Sequence, residues 1–218
     1  MKGNPIIGNQ VILREQKKGG GTMLKKFVLV LSILLVALPA WSGDFQGQCG
    51  ITFTGTSTLH DFSGKVPCQP FILALSDAGD AHGGNITVAV AQMDTDNSAR
   101  DKKLRAMFDS ERYPLITGTY SGFNFEETLR QALAAPEEQT SFAFKLRIRE
   151  IEHPVHAALR NLKQSPQGLF FSLQFEVSLA DYQLRPPSVL GMIRVGDSVD
   201  VQVDVQLQQL PPPGGTAQ

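Results

Sequence analysis

The feature that most constrains this chain is an alternation of apolar and polar residues along three long segments. The apolar positions are Phe142, Phe144, Leu146 and Ile148; Leu169, Phe171, Leu173, Phe175, Val177 and Leu179; and Val199, Val201, Val203, Val205 and Leu207. Successive side chains of a β-strand point to opposite faces. The period of two therefore predicts strands with one buried face and one solvated face.

Five further segments carry shorter or weaker forms of this pattern, which brings the predicted strands to eight. They are residues 51–53, 64–75, 86–90, 116–120 and 155–159. The helical crossovers that parallel strands require are missing except around residues 97–110 and 124–135, so the pairing is predicted to be antiparallel. Eight such strands form either a sandwich or a closed barrel, and a closed barrel of this size holds its own side chains or one small ligand.

The segment MDTDNSARDKKLRAMFDSERYP, residues 93–114, replaces the alternation with many charges and a helical period. Its apolar residues Leu104, Met107 and Phe108 are spaced i, i+3 and i+4, which predicts a short helix over about 98–110 with one narrow apolar face. Between two strands of a barrel, such a helix is expected to lie across the barrel mouth as a lid.

The polar residues of this segment suggest how the helix begins and what it does not bind. Ser98 and Asp101 resemble a capping box, and Asp101 and Arg105 are spaced for an ion pair on the solvated side. The run from Asp94 begins like a calcium loop, but Ala99 occupies the position of the turn glycine. Calcium binding is therefore disfavoured.

The N-terminal part of the chain has the order of a secretory signal. MLKKFVLVLSILLVALPAWS, residues 23–42, runs from charged to apolar to small residues, and its apolar stretch is short for a membrane span. Residues 1–22 are interpreted as a mis-assigned start or an extended N-terminus. We expect export with cleavage after Ser42 rather than a retained signal anchor, because no second apolar stretch and no basic stop-transfer flank follows. This predicts a periplasmic location, a barrel domain over 43–210 and a disordered tail over 211–218.

The charge of the mature chain argues against polyanionic partners. The first 42 residues carry six of the 20 basic residues and one of the 21 acidic ones, so 14 basic and 20 acidic residues remain, a net charge of −6. Such a chain is not steered to phosphate backbones or to anionic membrane surfaces. We therefore expect no nucleic-acid partner.

Two cysteines, Cys49 and Cys68, are present. In an exported chain such a pair usually oxidises, and closing this loop would stabilise the fold by about 3 kcal/mol in the chain-entropy model. Two buried free thiols are the alternative, and a zinc site is disfavoured because no CxxC or nearby HxxxH accompanies them. The pair predicts a disulfide.

Motifs of common enzymes are missing from the sequence. No GxSxG, HExxH or glycine-rich phosphate loop occurs. His60 lies at a strand-to-turn junction, where a ring bonded to the backbone is expected. His153 and His156 are three apart, so in a strand they face opposite ways and do not share a metal. We therefore expect no catalytic residues and no metal.

Four segments resemble a known family. They are TSTLHDFSGKV (56–66), MDTDNSARDKKLRAMFDSERYPLI (93–116), FKLRIREIEHPV (144–155) and FEVSLADYQLRPPSV (175–189), followed by VGDSVDVQVDVQL (195–207). Their order is that of the YceI-like family of exported lipid-binding proteins, and they span residues 49–209. The second segment is the most specific. Its matches to the family are Arg100, Asp101, Leu104, Phe108, Tyr113 and Pro114, with His60 in the first segment.

The resemblance implies an all-β fold: an eight-stranded, antiparallel, lipocalin-like barrel whose interior holds a long isoprenoid or quinone-like lipid. It implies no catalytic residue and no cofactor other than such a lipid. The candidate ligand-binding residues are Phe53, Phe142, Phe144, Phe171 and Phe175 as barrel lining, with Leu104, Met107 and Phe108 as the lid. The chain departs from the family at residues 150–155 and in a helix-like piece at 125–135, and the cysteine pair looks like a subgroup feature.

Two hypotheses of different class follow. In the first, the protein is a periplasmic binding protein that carries an apolar lipid inside the barrel. In the second, the same side chains fill the barrel, and the protein acts through its surface as a stress-linked interaction module of the envelope. The volume of the interior distinguishes them. Transient contact with inner-membrane proteins and the oligomeric state are left open.

Overall fold

The computed structural model describes residues 43–211 except 59–60, 77, 135–139, 167 and 187–194. Its strands are β1 (Phe45–Ser57), β2 (Phe62–Pro67), β3 (Phe71–Leu73), β4 (Asp80–Ala81), β5 (Gly84–Ala89), β6 (Leu115–Tyr120), β7 (Phe123–Asn124), β8 (Ser141–Ile148), β9 (Ile151–Ser165), β10 (Gly168–Ser178) and β11 (Val195–Gln209). Its helices are α1 (Ser98–Met107), α2 (Phe125–Ala134) and a short 3₁₀ turn, Val90–Gln92.

Eight of the strands form one curled sheet. Their order is β2-β1-β11-β10-β9-β8-β6-β5, and β3 adds to β1 beside β2. All pairings in the sheet are antiparallel. The predicted eight-stranded antiparallel barrel is therefore confirmed. The short strands β4 and β7 pair with each other outside this sheet.

The two edges of the sheet meet along a seam between residues 65–69 and residues 87–94. The N–H of Lys65 donates to the carbonyl of Asp94 at 2.7 Å, and the N–H of Asp94 returns a bond to Lys65 at 2.9 Å. Further along, the N–H of Gln69 donates to the carbonyl of Thr87 at 2.8 Å. The edges therefore pair at isolated bridges rather than along a continuous ladder, and this pairing covers edges that would otherwise be exposed.

One predicted strand, residues 64–75, is wrong as a single element. The structure divides it into β2 and β3, with Cys68 held between them by an isolated bridge to Val88. Pro67 and Pro70 flank Cys68. Proline has no N–H to donate, so the ladder breaks where they stand.

The predicted strand at residues 155–159 is part of a much longer strand, β9. Its first half, from Ile151 to Ala158, pairs with β8, and its second half, from Ala158 to Ser165, pairs with β10. The neighbours are thus staggered along β9, as the tilted strands of a barrel require. Pro154 is tolerated because it has a paired strand on one side only.

The N-cap of helix α1 is one residue earlier than predicted. The side chain of Asn97, not Ser98, accepts hydrogen bonds from the N–H groups of Ala99 (3.1 Å) and Arg100 (3.0 Å). Residue Asp109 has φ +51°, and this left-handed backbone ends the helical path at Met107–Phe108, short of the predicted end at 110.

The role predicted for Asp101 is also wrong. Its carboxylate is buried and does not face solvent. Its Oδ1 accepts from the N–H of Thr95 at 3.0 Å and from the Thr95 hydroxyl at 2.6 Å. Among the described residues Asp101 makes no ion pair with Arg105, because the buried threonine takes its oxygen.

Helix α2 forms within the helix-like piece expected at 125–135. Asn124 caps it, since its side chain accepts from the N–H of Glu127 at 2.7 Å. The helix packs against β4, β7 and β9. It lies where β1 and β10 begin and β11 ends, since Phe125 contacts Phe45 with 5.3 Å between ring centroids.

Three of the most deeply buried side chains lie at this end of the barrel. Phe45, Leu169 and Leu207 are at most 2% exposed, and Leu169 lies opposite Leu207 in the β10–β11 register. Gly168 has φ +132°, and a Cβ there would overlap the Leu207 carbonyl. This end is therefore tightly packed.

Several expectations fall on residues outside the described part of the chain. These are the signal at 23–42 with its preceding residues, His60, and the tail from residue 212. They stay predictions.

Candidate functional site

A cavity of about 620 Å³ occupies the barrel interior at the end where α1 lies. It is bounded by the inward positions of β1, β5, β6, β8, β10 and β11 and by the inner side of α1. Its apolar lining includes Ile51, Phe53, Val66, Ile86, Val88, Met93, Leu104, Met107, Phe108, Ile116, Tyr120, Phe142, Phe144, Leu146, Ile148, Leu173, Phe175, Val177, Leu179, Val199, Val201 and Val203. Its wall is therefore almost entirely hydrocarbon.

The register of three neighbouring strands builds this wall in rows. Val201 of β11 lies opposite Phe53 of β1 and opposite Phe175 of β10. One row further, Val203 lies between Ile51 and Leu173 in the same way. Directly opposed residues of paired strands share a face, so the alternation along each strand becomes a continuous apolar surface.

A small residue makes room for one of the large rings. Gly64 of β2 lies opposite Phe53, and a Cβ at position 64 would overlap the Phe53 ring. The ring therefore packs flat over the β2 backbone instead of filling the interior. Because the Phe53 ring lies against the β2 backbone, it leaves the centre of the barrel open.

Aromatic rings run in an unbroken line from the cavity towards α2. Phe175 contacts Phe144 with 5.2 Å between centroids, Phe144 contacts Phe142 at 6.3 Å, and Phe142 contacts Phe123 at 5.3 Å. Phe123 then contacts Phe125 of α2 at 6.3 Å. These spacings are those of favourable aromatic pairs.

A second, smaller cavity of about 90 Å³ lies at the α2 end. It is lined by Phe71, Leu73, Phe123, Phe125, Leu129, Leu159, Leu162, Leu169, Phe171, Val205 and Leu207, among others. Four residues line both cavities: Ile86, Tyr120, Phe142 and Leu173. We call these four residues the septum, because they stand between the two spaces.

The predicted lining and lid residues lie at the cavities. Phe53, Leu104, Met107, Phe108, Phe142, Phe144 and Phe175 all line the large cavity, and Phe171 lines only the small one. Phe171 has the inward phase, but it pairs with Val205, two residues nearer the α2 end than the Leu173–Val203 row. Contact of these residues with a ligand stays a prediction.

Most of the lining that was not singled out from the sequence follows the same alternation. Val177, Val199, Val201 and Val203 already belong to the apolar phase of their strands, so strand register alone adds them to the site. Met93 follows the 3₁₀ turn, where no periodic signal exists, and only the fold brings it to the cavity.

Polar groups border the cavity at its α1 end. They are Ser57, Asp61, Asn97, Arg100 and Lys103. The guanidinium of Arg100 lies 5.6 Å from the centre of the Phe62 ring. Its Nε is buried and finds no hydrogen-bond acceptor among the described residues. The cavity therefore has a polar end at α1 and an apolar end towards α2.

Two other motif residues, Asp101 and Pro114, make hydrogen bonds that hold the backbone at the α1 end of the barrel. Asp101 binds Thr95, which directly follows Asp94 of the seam, so it joins the first turn of α1 to the place where the barrel closes. The carbonyl of Pro114 accepts from the N–H of Val90 at 2.9 Å. Of the described motif residues, Arg100, Leu104 and Phe108 line the cavity, whereas Asp101, Tyr113 and Pro114 do not.

Tyr113 lies outside the barrel among charged side chains. The guanidinium groups of Arg112 and Arg149 lie 5.0 Å and 5.7 Å from its ring centre. Partial desolvation and a hydrogen bond with Glu150 raise the pKa of the Tyr113 hydroxyl. This arrangement fixes the β8–β9 turn against the segment before β6.

The predicted disulfide is confirmed. Cys49 and Cys68 are joined, with 5.3 Å between their Cα atoms, a separation typical of disulfides. The N–H of Cys68 also donates to the carbonyl of Cys49 at 2.9 Å. The bond therefore ties β1 to the seam, where Cys68 bridges Val88.

Two buried tyrosines have hydroxyl groups that resist ionisation. Burial, with the nearby charge of Asp181, raises the pKa of Tyr182 to about 12. Burial also raises the pKa of Tyr120 in the septum. Neither hydroxyl group therefore acts as an acid or base near neutral pH.

No helix in the described part of the chain is long and apolar enough to cross a membrane.

The fold and the cavity define a small antiparallel β-barrel with an interior of ligand size. The family model of the YceI-like domain matches residues 42–207. The chain belongs to the YceI-like family.

Solved structures resemble the chain at low identity. Burkholderia cenocepacia BcnA is 14% identical, with 72% of this chain and 94% of that chain covered and a TM-score of 0.53. A polyisoprenoid binding domain from Saccharophagus degradans is 12% identical over 77% of this chain and 99% of its own, at a TM-score of 0.49. A Campylobacter jejuni YceI protein is 15% identical over 72% of this chain and 85% of its own, at a TM-score of 0.45. A comparison with curated proteins finds no match.

Proposed function

We propose that the protein binds a long apolar lipid of the isoprenoid or quinone type inside its barrel and acts as a carrier, not as an enzyme. The observation that carries the proposal is the apolar cavity of about 620 Å³. Sites for small molecules usually measure roughly 300–1,000 Å³ and are lined mainly by apolar side chains. The size and the lining of the cavity both suit such a ligand.

The open interior argues against the filled barrel of the second hypothesis, because the apolar side chains that were expected to fill it leave a space of about 620 Å³ between them. An unfilled apolar space lacks the dispersion contacts that a packed core makes. A hydrocarbon ligand would supply these contacts.

The distribution of polar groups supports one orientation of the ligand. Arg100, Lys103, Asn97 and Asp61 border the cavity at α1, and away from them the lining is almost entirely apolar. We place the polar head of the lipid beside these residues and its chain along the Phe175–Phe144 line. Leu104, Met107 and Phe108 of α1 then cover the chain as a lid.

The proposed location is the periplasm. It is supported by the signal-like order of residues 23–42 and by the Cys49–Cys68 disulfide, since disulfides persist in oxidising compartments. A lipid carrier there would receive its cargo from a membrane or a membrane protein.

The test blocks the cavity with a single side chain. Gly118 lines the cavity, and a Cβ there would make an ordinary contact of 3.5 Å with Phe144. Gly118→Leu therefore projects a branched side chain into the lipid space. Gly50 lies on the outer face of β1 with nothing within 4 Å of an added Cβ. Gly50→Leu is thus a matched control.

Each variant is incubated with geranylgeraniol and examined by native mass spectrometry. We expect Gly118→Leu to bind at least about tenfold more weakly than the wild type, a loss of roughly 1.4 kcal/mol, and Gly50→Leu to bind as the wild type does. Equal binding by all three proteins would show that the cavity is not the site. No binding by any of them would contradict the lipid carrier itself.

A further inference from the structure

The two cavities lie along one line inside the barrel, and the septum decides whether they form one space. Phe142 contributes the central ring. It contacts Phe144, which lines only the large cavity, and Phe123, which lines only the small one. Tyr120 packs beside it, with 6.3 Å between ring centroids. The Phe142 ring therefore stands directly between the two spaces.

Helix α2 forms part of the boundary beyond the septum. Phe125, Thr128 and Leu129 line the small cavity. Phe125 is also wedged between Phe45 and Phe123, at centroid distances of 5.3 and 6.3 Å. The α2 end is thus built from packed side chains, whereas the α1 end carries the polar groups. A chain that enters with its head at α1 meets the septum first and α2 last.

We infer that Phe142, with the rest of the septum, sets the longest lipid chain that the protein accepts, and that α2 limits the space behind it. This inference rests on the proposed function. In the wild type, a chain fills the large cavity and stops at Phe142. Longer homologues have to displace aromatic side chains from the septum or leave apolar carbons outside the barrel, and both cost free energy.

Removing the Phe142 ring should join the small cavity to the large one. In Phe142→Ala, the lost ring and the space of about 90 Å³ behind it become available to the end of the chain. Phe144→Ala removes an identical ring from the large cavity alone. It enlarges the large cavity by one ring but leaves the small cavity closed, so it should raise the length limit less than Phe142→Ala does.

A second variant refills the joined space. Leu129 lies on α2 and lines only the small cavity. In the double variant Phe142→Ala/Leu129→Phe, a new ring occupies the chamber that the first substitution opened. The length limit should move back towards that of the wild type. Leu133→Ala, at a side chain on α2 that is 45% exposed, controls for changes in α2 itself.

The experiment offers an equimolar ladder of all-trans polyprenols, from farnesol to solanesol, to each protein and records the bound homologues by native mass spectrometry. For Phe142→Ala we expect the first homologue beyond the wild-type limit to gain at least about tenfold in bound share. Leu133→Ala should keep the wild-type limit, Phe144→Ala should shift it less than Phe142→Ala does, and the double variant should lose most of the gain.

Two outcomes would overturn parts of this account in different ways. If the proteins bind polyprenols and Phe142→Ala keeps the wild-type limit, the septum does not measure the chain, and the proposed function stands. If no polyprenol binds, the proposed function fails and the inference fails with it. Phe142→Leu is measured in parallel, because its shorter side chain leaves the core better packed should the alanine variant not fold. An unchanged limit in a folded Phe142→Leu also counts against the inference.

Discussion

Single buried hydroxyl groups in this barrel affect how its stability depends on pH. Tyr182 is 2% exposed, and its hydroxyl donates to the carbonyl of Leu146 at 3.2 Å. Its ring also contacts His153 edge-on, with 5.2 Å between centroids. Burial raises its pKa from 10.0 to about 12. The turn after β10 is therefore held to β8 by a neutral phenol.

The first prediction concerns alkaline unfolding. Because the pKa of Tyr182 is higher in the folded state than in the unfolded state, its neutral hydroxyl contributes to the free energy of unfolding. This contribution is fully present below pH 10 and is lost as the pH rises through about 12. The free energy of unfolding should therefore fall between pH 10 and 12, and Tyr182→Phe should flatten part of this fall. At neutral pH the variant should lose about 1 kcal/mol with its hydrogen bond. Urea titrations at several pH values measure both effects, and parallel pH curves for the two proteins would refute the assignment.

At the scale of elements, α1 is attached to the seam as well as packed through its own apolar face. Asp101 in its first turn reaches back to Thr95, and both residues are buried. Thr95 follows Asp94, which exchanges two backbone hydrogen bonds with Lys65. The lid and the closure of the barrel therefore share one small network.

The second prediction tests this network. Asp101→Asn keeps the shape of the side chain but replaces charge-assisted acceptor contacts by neutral ones. We expect the free energy of unfolding to fall by about 1–2 kcal/mol, and amide exchange in α1 and at Lys65 to become faster. Asp109→Asn, at an exposed position with φ +51° that asparagine also tolerates, should change little. If both substitutions lowered the free energy of unfolding equally, the proposed attachment of α1 to the seam through Asp101 and Thr95 would be wrong.

The elements also show what local sequence can predict. One-sided burial imposes a period of two, so strands such as β8, β10 and β11 could be predicted from alternation alone. The helix cap could not be chosen locally, because Asn97 and Ser98 are both favourable caps. The choice depends on Thr95, whose place is set by pairing between β2 and a segment about 30 residues later. Non-local pairing of this kind leaves no periodic signal.

The candidate site could also be predicted only as far as the alternation of apolar and polar residues reaches. Alternation identifies which side chains face inward, as for Phe144 and Phe175. It does not say how far along the barrel each one lies, which is why Phe171 proved to line the small cavity at the α2 end. The volume of the interior depends on how the strands are staggered and on pairs of small and large residues on neighbouring strands, such as Gly64 opposite Phe53. Neither is visible in one segment of sequence.

At the scale of the whole molecule, the barrel combines a packed end with a hollow one. Phe45, Leu169 and Leu207 are buried at the α2 end, where the cavity measures about 90 Å³, and the disulfide fastens β1 to the seam. This frame can support an open interior because its stability does not depend on the hollow end alone. The central claim is that a lipid occupies the hollow end and contributes to the stability of the folded protein.

The most direct test compares the protein purified from its native cells before and after lipid extraction. A ligand that binds only the folded state stabilises it by mass action, by about 2.7 kcal/mol at a hundredfold excess over Kd. For a domain of this size we predict that extraction lowers Tm by roughly 5–10 °C, that an isoprenoid or quinone lipid appears in the extract by mass spectrometry, and that adding it back restores Tm. If the extracted and native proteins melt alike and no apolar molecule is released, the barrel is not a lipid carrier.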